Sequence, residues 1–218
     1  IIGLLILTSV EVCAQIGIPF QNAVWRGSPA TVEGSPYLED NWKMGTVTDA
    51  QNDKVYRVFL KYDTQIDRVV VSSYGRSSIL NEQRYPQFTM GFKDDEMTRD
   101  DRKFVNASHL NYQELQGYYE ILHDGDFQLL RKVRTDYIPN TIPEYGTNRK
   151  VILYLTREED FLITPDGELH EVPGREKNIF PLFRQDEEFA RSLADKKGLD
   201  VENTKELIQL LSLLEERI

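Results

Sequence analysis

Three histidines, His109, His123 and His170, are the imidazoles of this 218-residue chain, and each stands alone in its own segment. Zinc binding through two of them, or general-base catalysis by one beside a carboxylate, would require the fold to gather distant partners, because no H-E-x-x-H run or close His pair is present. Ser77 and Ser78 follow Gly75 without the G-x-S-x-G elbow that exposes a nucleophilic serine, and the Walker A and G-x-G-x-x-G patterns are also absent. A dispersed Ser–His–Asp triad is defined by space and not by chain order, so the sequence leaves that chemistry open. Carboxylates are the abundant reactive group. Asp94-Asp95-Glu96 and Glu158-Glu159-Asp160 are two runs from which folding could draw a glycosidase-type pair. The first is also rich enough in oxygen for Ca²⁺, but it lacks the D-x-[DN]-x-[DN]-G order of an EF-hand loop. Charge runs of this kind read first as solvated surface. The sequence therefore assigns no catalytic residue, and it predicts no cofactor and no metal ligand.

The overall charge narrows the partners. With 36 acidic against 26 basic residues the formal net charge is -10, and the field of such a chain repels phosphate backbones and anionic lipid surfaces. Nucleic acid is thus not expected as a partner. The basic stretch Arg131-Lys132-Val133-Arg134 alternates in the manner of a solvated strand face.

Residues 1–14 differ from all that follow. An apolar run over residues 1–10 precedes Val12-Cys13-Ala14, which places modest or small side chains before a cut at Gln15. This predicts a secretory signal peptide, entered part-way because neither an initiator Met nor a basic start precedes it. A bilayer span needs about 20 apolar residues, so no integral membrane span is expected in the mature chain. Glu11 and Val12 stand where a lipoprotein signal would carry small residues before Cys13, which favours unanchored export. Cleavage after Ala14 would remove the one cysteine, leaving a chain held by its core without disulfides.

The elements that must position any site are mostly strands. The strongest hairpin signal runs over residues 117–137, where GYYEILH and DFQLLRKVRTDY flank Asp124-Gly125. A three-residue loop, His123-Asp124-Gly125 with the glycine in the left-handed conformation, would pair Ile121 with Phe127 and Tyr119 with Leu129. That register puts Tyr119, Ile121, Phe127 and Leu129 on a core face, with Glu120, Gln128 and Lys132 on the wetter one. Before the hairpin, residues 15–33 are dense in Gly and Pro and read as an irregular arm, with Trp25, Tyr37 and Trp42 as aromatic anchors around its exit. Strands follow at 54–63, 66–75, 77–80, 87–92 and 103–107, with a polar insert at 93–102. Beyond the hairpin, residues 138–147 carry Pro139, Pro143 and Gly146 and read as a loop. Strands at 150–156, 160–164 and 168–172 close the sheet.

From residue 175 the apolar period becomes helical. Asp186 is placed to cap one helix that ends at Gly198, and Asn203-Thr204-Lys205-Glu206 opens another whose Leu207, Leu210, Leu211, Leu214 and Ile218 form a stripe. The expected fold is α+β: a predominantly antiparallel β domain over residues 34–174, a sandwich or a curled, barrel-like sheet, with a helical appendage over 175–218. The stripe predicts docking on the sheet, or, alternatively, a partner surface.

Gly117-Tyr118-Tyr119-Glu120-Ile121-Leu122, then Gly125, then Leu129-Leu130-Arg131-Lys132, resembles a run found in a group of uncharacterised exported proteins of Bacteroidetes bacteria. Gly34-Ser35-Pro36-Tyr37-Leu38 with Trp42 and Tyr62-Asp63, the helical region 177–214 and the Cys13-Ala14-Gln15 signal end are similar to that group as well. The resemblance implies export to the periplasm or cell surface of a Gram-negative-type cell, and carries no catalytic residue with it. The expected function is a non-catalytic binding or structural module contacting a protein or glycan of the envelope. The alternative is a hydrolase acting on an envelope polymer or on exogenous glycan or peptide through a carboxylate-based site.

Overall fold

Alternating apolar residues build the strands, and one long cross-strand row shows how they are ordered. The computed structural model describes residues 31–73, 75–91, 101–144, 147–174 and 176–216. The signal segment, Trp25 and the Asp94-Asp95-Glu96 run lie outside them. Eleven strands are present among these residues: β1 (Thr31–Glu33), β2 (Lys43–Asp49), β3 (Lys54–Asp63), β4 (Arg68–Ser73), β5 (Arg76–Ile79), β6 (Gln87–Met90), β7 (Arg102–Asn106), β8 (Tyr118–Asp124), β9 (Gln128–Glu144), β10 (Thr147–Ile163) and β11 (Leu169–Glu171). They form one sheet in the order β1-β10-β9-β8-β7-β6-β2-β3-β4-β5, with β11 also on β10. Helices α1 (Glu176–Ile179), α2 (Glu187–Lys197) and α3 (Thr204–Glu215) follow, with a 3-10 segment, Phe180–Asp186, between the first two. The chain is α+β with a β-rich body. Every strand pair is antiparallel except β1 with β10, so the sheet is mixed, and its parallel strand comes from the end of the arm expected to be irregular.

Successive partners Tyr56, Val47, Phe88, Phe104, Glu120, Arg131 and Asp160 make one row across seven strands. From exposed Tyr56 the row enters a hydrophobic core at Val47, Phe88 and Phe104 and ends as an ionic layer. Phe88 and Phe104 stack with ring centroids 4.5 Å apart, and Tyr62 meets both edge-on. Past Arg131 the same face carries Leu129 and Leu162, and here the helices dock. Leu207, Leu210, Leu211 and Leu214 of α3 are buried in one cluster with Phe127, Leu129 and Leu162, so the stripe is core and not a vacant surface. Tyr119, Leu130 and Ile163 form a smaller core on the opposite face. Fully burying each such leucine contributes about 1.5–3 kcal/mol.

Capping follows the sequence in part. Asn203 accepts from the Lys205 N–H, and Gly198 ends α2 in the left-handed conformation at φ 66°. Asp186 makes no side-chain cap, because the 3-10 segment runs directly into α2. Glu206 does not close a reciprocal box; its carboxylate accepts from the Asp200 N–H.

The hairpin register departs from the expected one. Ile121 faces Leu130, His123 faces Leu129 and Asp124 faces Gln128, with a bulge at Leu122. The turn residues are thus Gly125, Asp126 and Phe127, two positions along from the expected loop. The bulge lets Leu122 and His123 both look toward the helices, which the simple alternation behind the expected register could not provide. Gly125 is not left-handed. It needs no side chain for another reason: a Cβ there would lie 2.3 Å from the Glu215 carboxylate, which accepts the Phe127 N–H at 2.9 Å. Gly125→Ala is expected to push that carboxylate off its partners and to cost about 1–3 kcal/mol, read as a lowered urea midpoint at unchanged slope.

Two further expectations are corrected. Residues 138–144 and 147, expected within a loop over 138–147, are strand, because β9 and β10 are 17-residue strands paired from Gln128↔Ile163 out to Glu144↔Thr147. A spacing of four puts Pro139 and Pro143 on the same edge of β9, and the ladder from β8 stops at Arg131, so missing N–H groups there break nothing. Strands 150–156 and 160–164 are accordingly one. Glu120 and Lys132 are also not on a wet face: they are 7% and 3% exposed, because both faces of the sheet are covered at this point.

Candidate functional site

Arg131 lies at the floor of a cleft of about 340 Å³ between β10, the 171–174 segment and the start of α3. Its Nε and Nη2 donate to the two Asp160 oxygens at 2.7 and 2.9 Å, Nη2 also to Thr204 Oγ1 at 2.8 Å, and Nη1 lies 2.8 Å from Glu158 Oε2. The Asp160 hydrogen bonds hold the guanidinium above its ordinary value against the opposing effect of burial. Glu158 and Asp160, placed by the sequence outside and at the start of separate strands, lie two apart on the single strand β10 and share a face, and folding does bring them to a cleft. Both pair with one guanidinium, Asp160 through both oxygens and Glu158 through Oε2, and Asp160 Oδ2 also accepts from Thr204 Oγ1 at 3.2 Å. Glu159 points the other way, 3.9 Å from Arg134. Arg131-Lys132-Val133-Arg134 is therefore no solvated strand, since its first three side chains are engaged or buried.

A second cleft, of about 270 Å³, opens where the β3–β4 turn meets β9. Asp67, held at φ 56°, turns its carboxylate inward. Oδ1 accepts from Tyr62 OH at 2.5 Å and from the Tyr118 N–H at 3.2 Å, while Oδ2 accepts from Lys132 Nζ at 2.7 Å. Lys132 Nζ donates further to Gln116 O at 2.9 Å and Tyr118 O at 3.0 Å, and lies 4.9 Å from the Tyr119 ring centroid. Gly117 makes this possible, because a Cβ at that position would sit 1.4 Å from Asp67 Oδ2. Burial pulls the Lys132 ammonium below its usual value although Asp67 pulls it up. Burial, then the Asp67 charge, push the Tyr62 phenol far up, and burial raises Tyr118 as well. Nearby, Thr64 and Thr135 share a 2.7 Å hydrogen bond between their hydroxyls, and Thr135 N–H donates to Thr64 O. None of these partners is legible in sequence, since Asp67 and Lys132 are 65 positions apart and the turn carries no motif.

The raised phenols set a pH dependence. An unfolded tyrosine loses its proton near pH 10, whereas folding holds Tyr62 and Tyr118 protonated beyond that. Stability from these two groups is thus complete below about pH 10 and lost as the pH rises above it. Spectrophotometric titration should show both phenols ionising only as the near-ultraviolet signal of the fold disappears. Reversible ionisation in the folded chain at the ordinary midpoint would contradict this.

The histidines are not gathered. His109 is exposed at the end of a 3-10 turn. His123, expected in a turn, lies in β8, and its Nε2 is 3.1 Å from both Glu215 oxygens. His170 Nε2 is buried without a hydrogen-bond partner, 3.4 Å from Glu168 Oε2. Ser77 and Ser78 lie exposed on β5, opposite Ser72 and Val71.

Aromatic residues instead form a half-open ledge. Lys61 Nζ sits 4.8 Å from the Tyr37 ring centroid and 5.5 Å from that of Trp42, and it donates to Asp40 O. Burial raises the Tyr37 phenol, with contributions from Asp63 and from Tyr154. Tyr154 in turn packs edge-on against Tyr137 at 5.7 Å. Trp42 is 40% and Tyr137 45% exposed, so Trp42 is not the buried anchor expected, while Tyr37 is half-buried. No family model, curated protein or solved structure matches this chain. Among the described residues, no group of three or more His, Cys, Asp and Glu is arranged to hold a metal ion, and no helix is long and apolar enough to cross a membrane.

Proposed function

We propose that the protein is a non-catalytic binding module of the bacterial envelope whose contact surface is the ledge Trp42–Lys61–Tyr37–Tyr154–Tyr137. The observation that carries this reading is the exposure of Trp42 and Tyr137 at the ends of an aromatic series that contains a cation. Rings with one open face and a polar tip suit the apolar faces of sugars or an aromatic-rich protein contact. Lys61 adds one fixed donor. Arg131 and Lys132, the charged groups at the floors of the two clefts, have their hydrogen-bonding capacity taken up within the chain, which favours a structural role for them. Export rests on the signal-like segment 1–14 with its apolar run over residues 1–10, and kinship with exported Bacteroidetes proteins on the Gly117–Lys132 run. The approach of Thr64 to Thr135 supports a curled, barrel-like sheet over a sandwich.

Glycan arrays and pull-downs from envelope fractions test the reading. Trp42→Ala and Tyr137→Ala should each weaken binding on the order of tenfold without lowering the melting temperature. Unchanged binding in both variants would remove the ledge. Hydrolysis of an envelope polymer by the wild-type chain, lost on Glu158→Gln or Asp160→Asn, would replace this reading with the carboxylate hydrolase.

A further inference from the structure

We propose that Lys132 and Asp67 become joined by an intramolecular isopeptide bond, formed when the Lys132 amine condenses with the Asp67 side-chain carboxyl. The geometry is that of a reactant pair. Nζ lies 2.7 Å from Oδ2, so the carboxyl carbon is one bond beyond the atom the nitrogen already touches. Gln116 O and Tyr118 O accept two other N–H bonds of the same nitrogen, which directs its third toward Asp67. Loss of that third proton leaves the lone pair facing Oδ2, one bond from the carboxyl carbon.

The surroundings supply the remaining parts of an acyl transfer. Tyr62 OH and the Tyr118 N–H both donate to Oδ1, at 2.5 and 3.2 Å, and so stand where negative charge develops in a tetrahedral intermediate. Tyr62 stays a donor because burial holds its phenol well above the usual value. Lys132 is 3% exposed, and burial depresses its ammonium toward the neutral nucleophile. Gly117, lacking a Cβ, and Asp67, in a left-handed conformation that side chains rarely adopt, are two backbone features that bring the carboxyl to this spot.

The atoms balance without a co-reactant. One proton passes from Nζ to Oδ2, converting the ion pair to amine and carboxylic acid. Nζ then attacks Cγ and forms the C–N bond, with the carbonyl electron pair moving onto Oδ1. A second proton moves from Nζ to the Oδ2 hydroxyl. The C–Oδ2 bond breaks as Oδ1 reforms its double bond, and water departs into the adjoining cleft of about 270 Å³. The product is a secondary amide that keeps one N–H, and it ties the β3–β4 turn to β9.

Intact-mass spectrometry of the purified, denatured chain tests this. The wild-type protein should be lighter by one water than its sequence requires, and proteolysis should release a branched peptide whose fragments place the link between Asp67 and Lys132. Lys132→Arg keeps a cation in the network and should return the mass to the sequence value, while Tyr62→Phe should slow linkage on the order of a hundredfold in freshly synthesised protein. A wild-type chain at full sequence mass overturns the proposal. So does a missing water that persists in Lys132→Arg, or that maps to the Asp124-Gly125 or Asp166-Gly167 steps, where a succinimide gives the same loss. The wild-type branched peptide decides the matter even if the variants fold poorly.

Discussion

Asp67→Ala is expected to lower the unfolding free energy, relative to the unlinked chain, by about 3–5 kcal/mol, the range for removing one member of a buried ion pair. Lys132 is 4% exposed in its side chain, and with Asp67 gone it retains only the Gln116 and Tyr118 carbonyls around a full charge. Tyr62 OH and the Tyr118 N–H lose their acceptor in the same step. Lys132→Met should cost less, because Asp67, 26% exposed, can turn to water while the methionine fills the apolar space under Tyr119. Both variants forfeit any covalent link equally, so the asymmetry reports the stranded ammonium together with the two donors, Tyr62 OH and the Tyr118 N–H, that lose their acceptor. Guanidinium unfolding of the two variants measures it. Equal losses would mean that Lys132 escapes to solvent when unpaired.

Leu211→Ala should cost about 2–5 kcal/mol, since its side chain is fully buried between α3 and the hairpin and the cavity can collapse little among Leu129, Leu162 and Phe180. Deleting the chain after Gly198 is the stronger test of the same packing. Removal of α3 bares Phe127, Leu129 and Leu162 together with Ile179, Phe180 and Phe183, a contiguous apolar surface that ends in aggregation. It also removes Glu215, which caps the hairpin tip through the Phe127 N–H and His123. A soluble, cooperatively unfolding truncated chain would show that the helices are an appendage and not part of the core. Refolding yield and a melting curve distinguish the two.

Much of the architecture is legible along the chain because it is local. Tyr62 and Leu60 point inward by simple alternation, Gly198 stops α2 by its left-handed conformation, and the leucine stripe of α3 follows from a period of 3.6. Errors arise where a distant element overrides the local signal. Leu122 bulges because His123 and Phe127 must both meet Glu215, 92 and 88 positions away, and no feature of the hairpin itself announces that demand. Pro139 and Pro143 look like breakers until one strand edge is known to be unpaired.

Composition and period determined by themselves that this is an acidic, β-rich α+β chain whose last helices carry a core-forming face. These properties depend on each residue and its near neighbours, which the sequence displays in order. Tertiary structure alone decided that Glu158 and Asp160 are joined by Arg131, that the three histidines stay apart, and that Asp67 meets Lys132 beneath Tyr62. Each of those outcomes depends on contacts between elements far apart in the eleven-stranded sheet, such as the β3–β4 turn against β9, and such contacts leave no trace in any one stretch of residues.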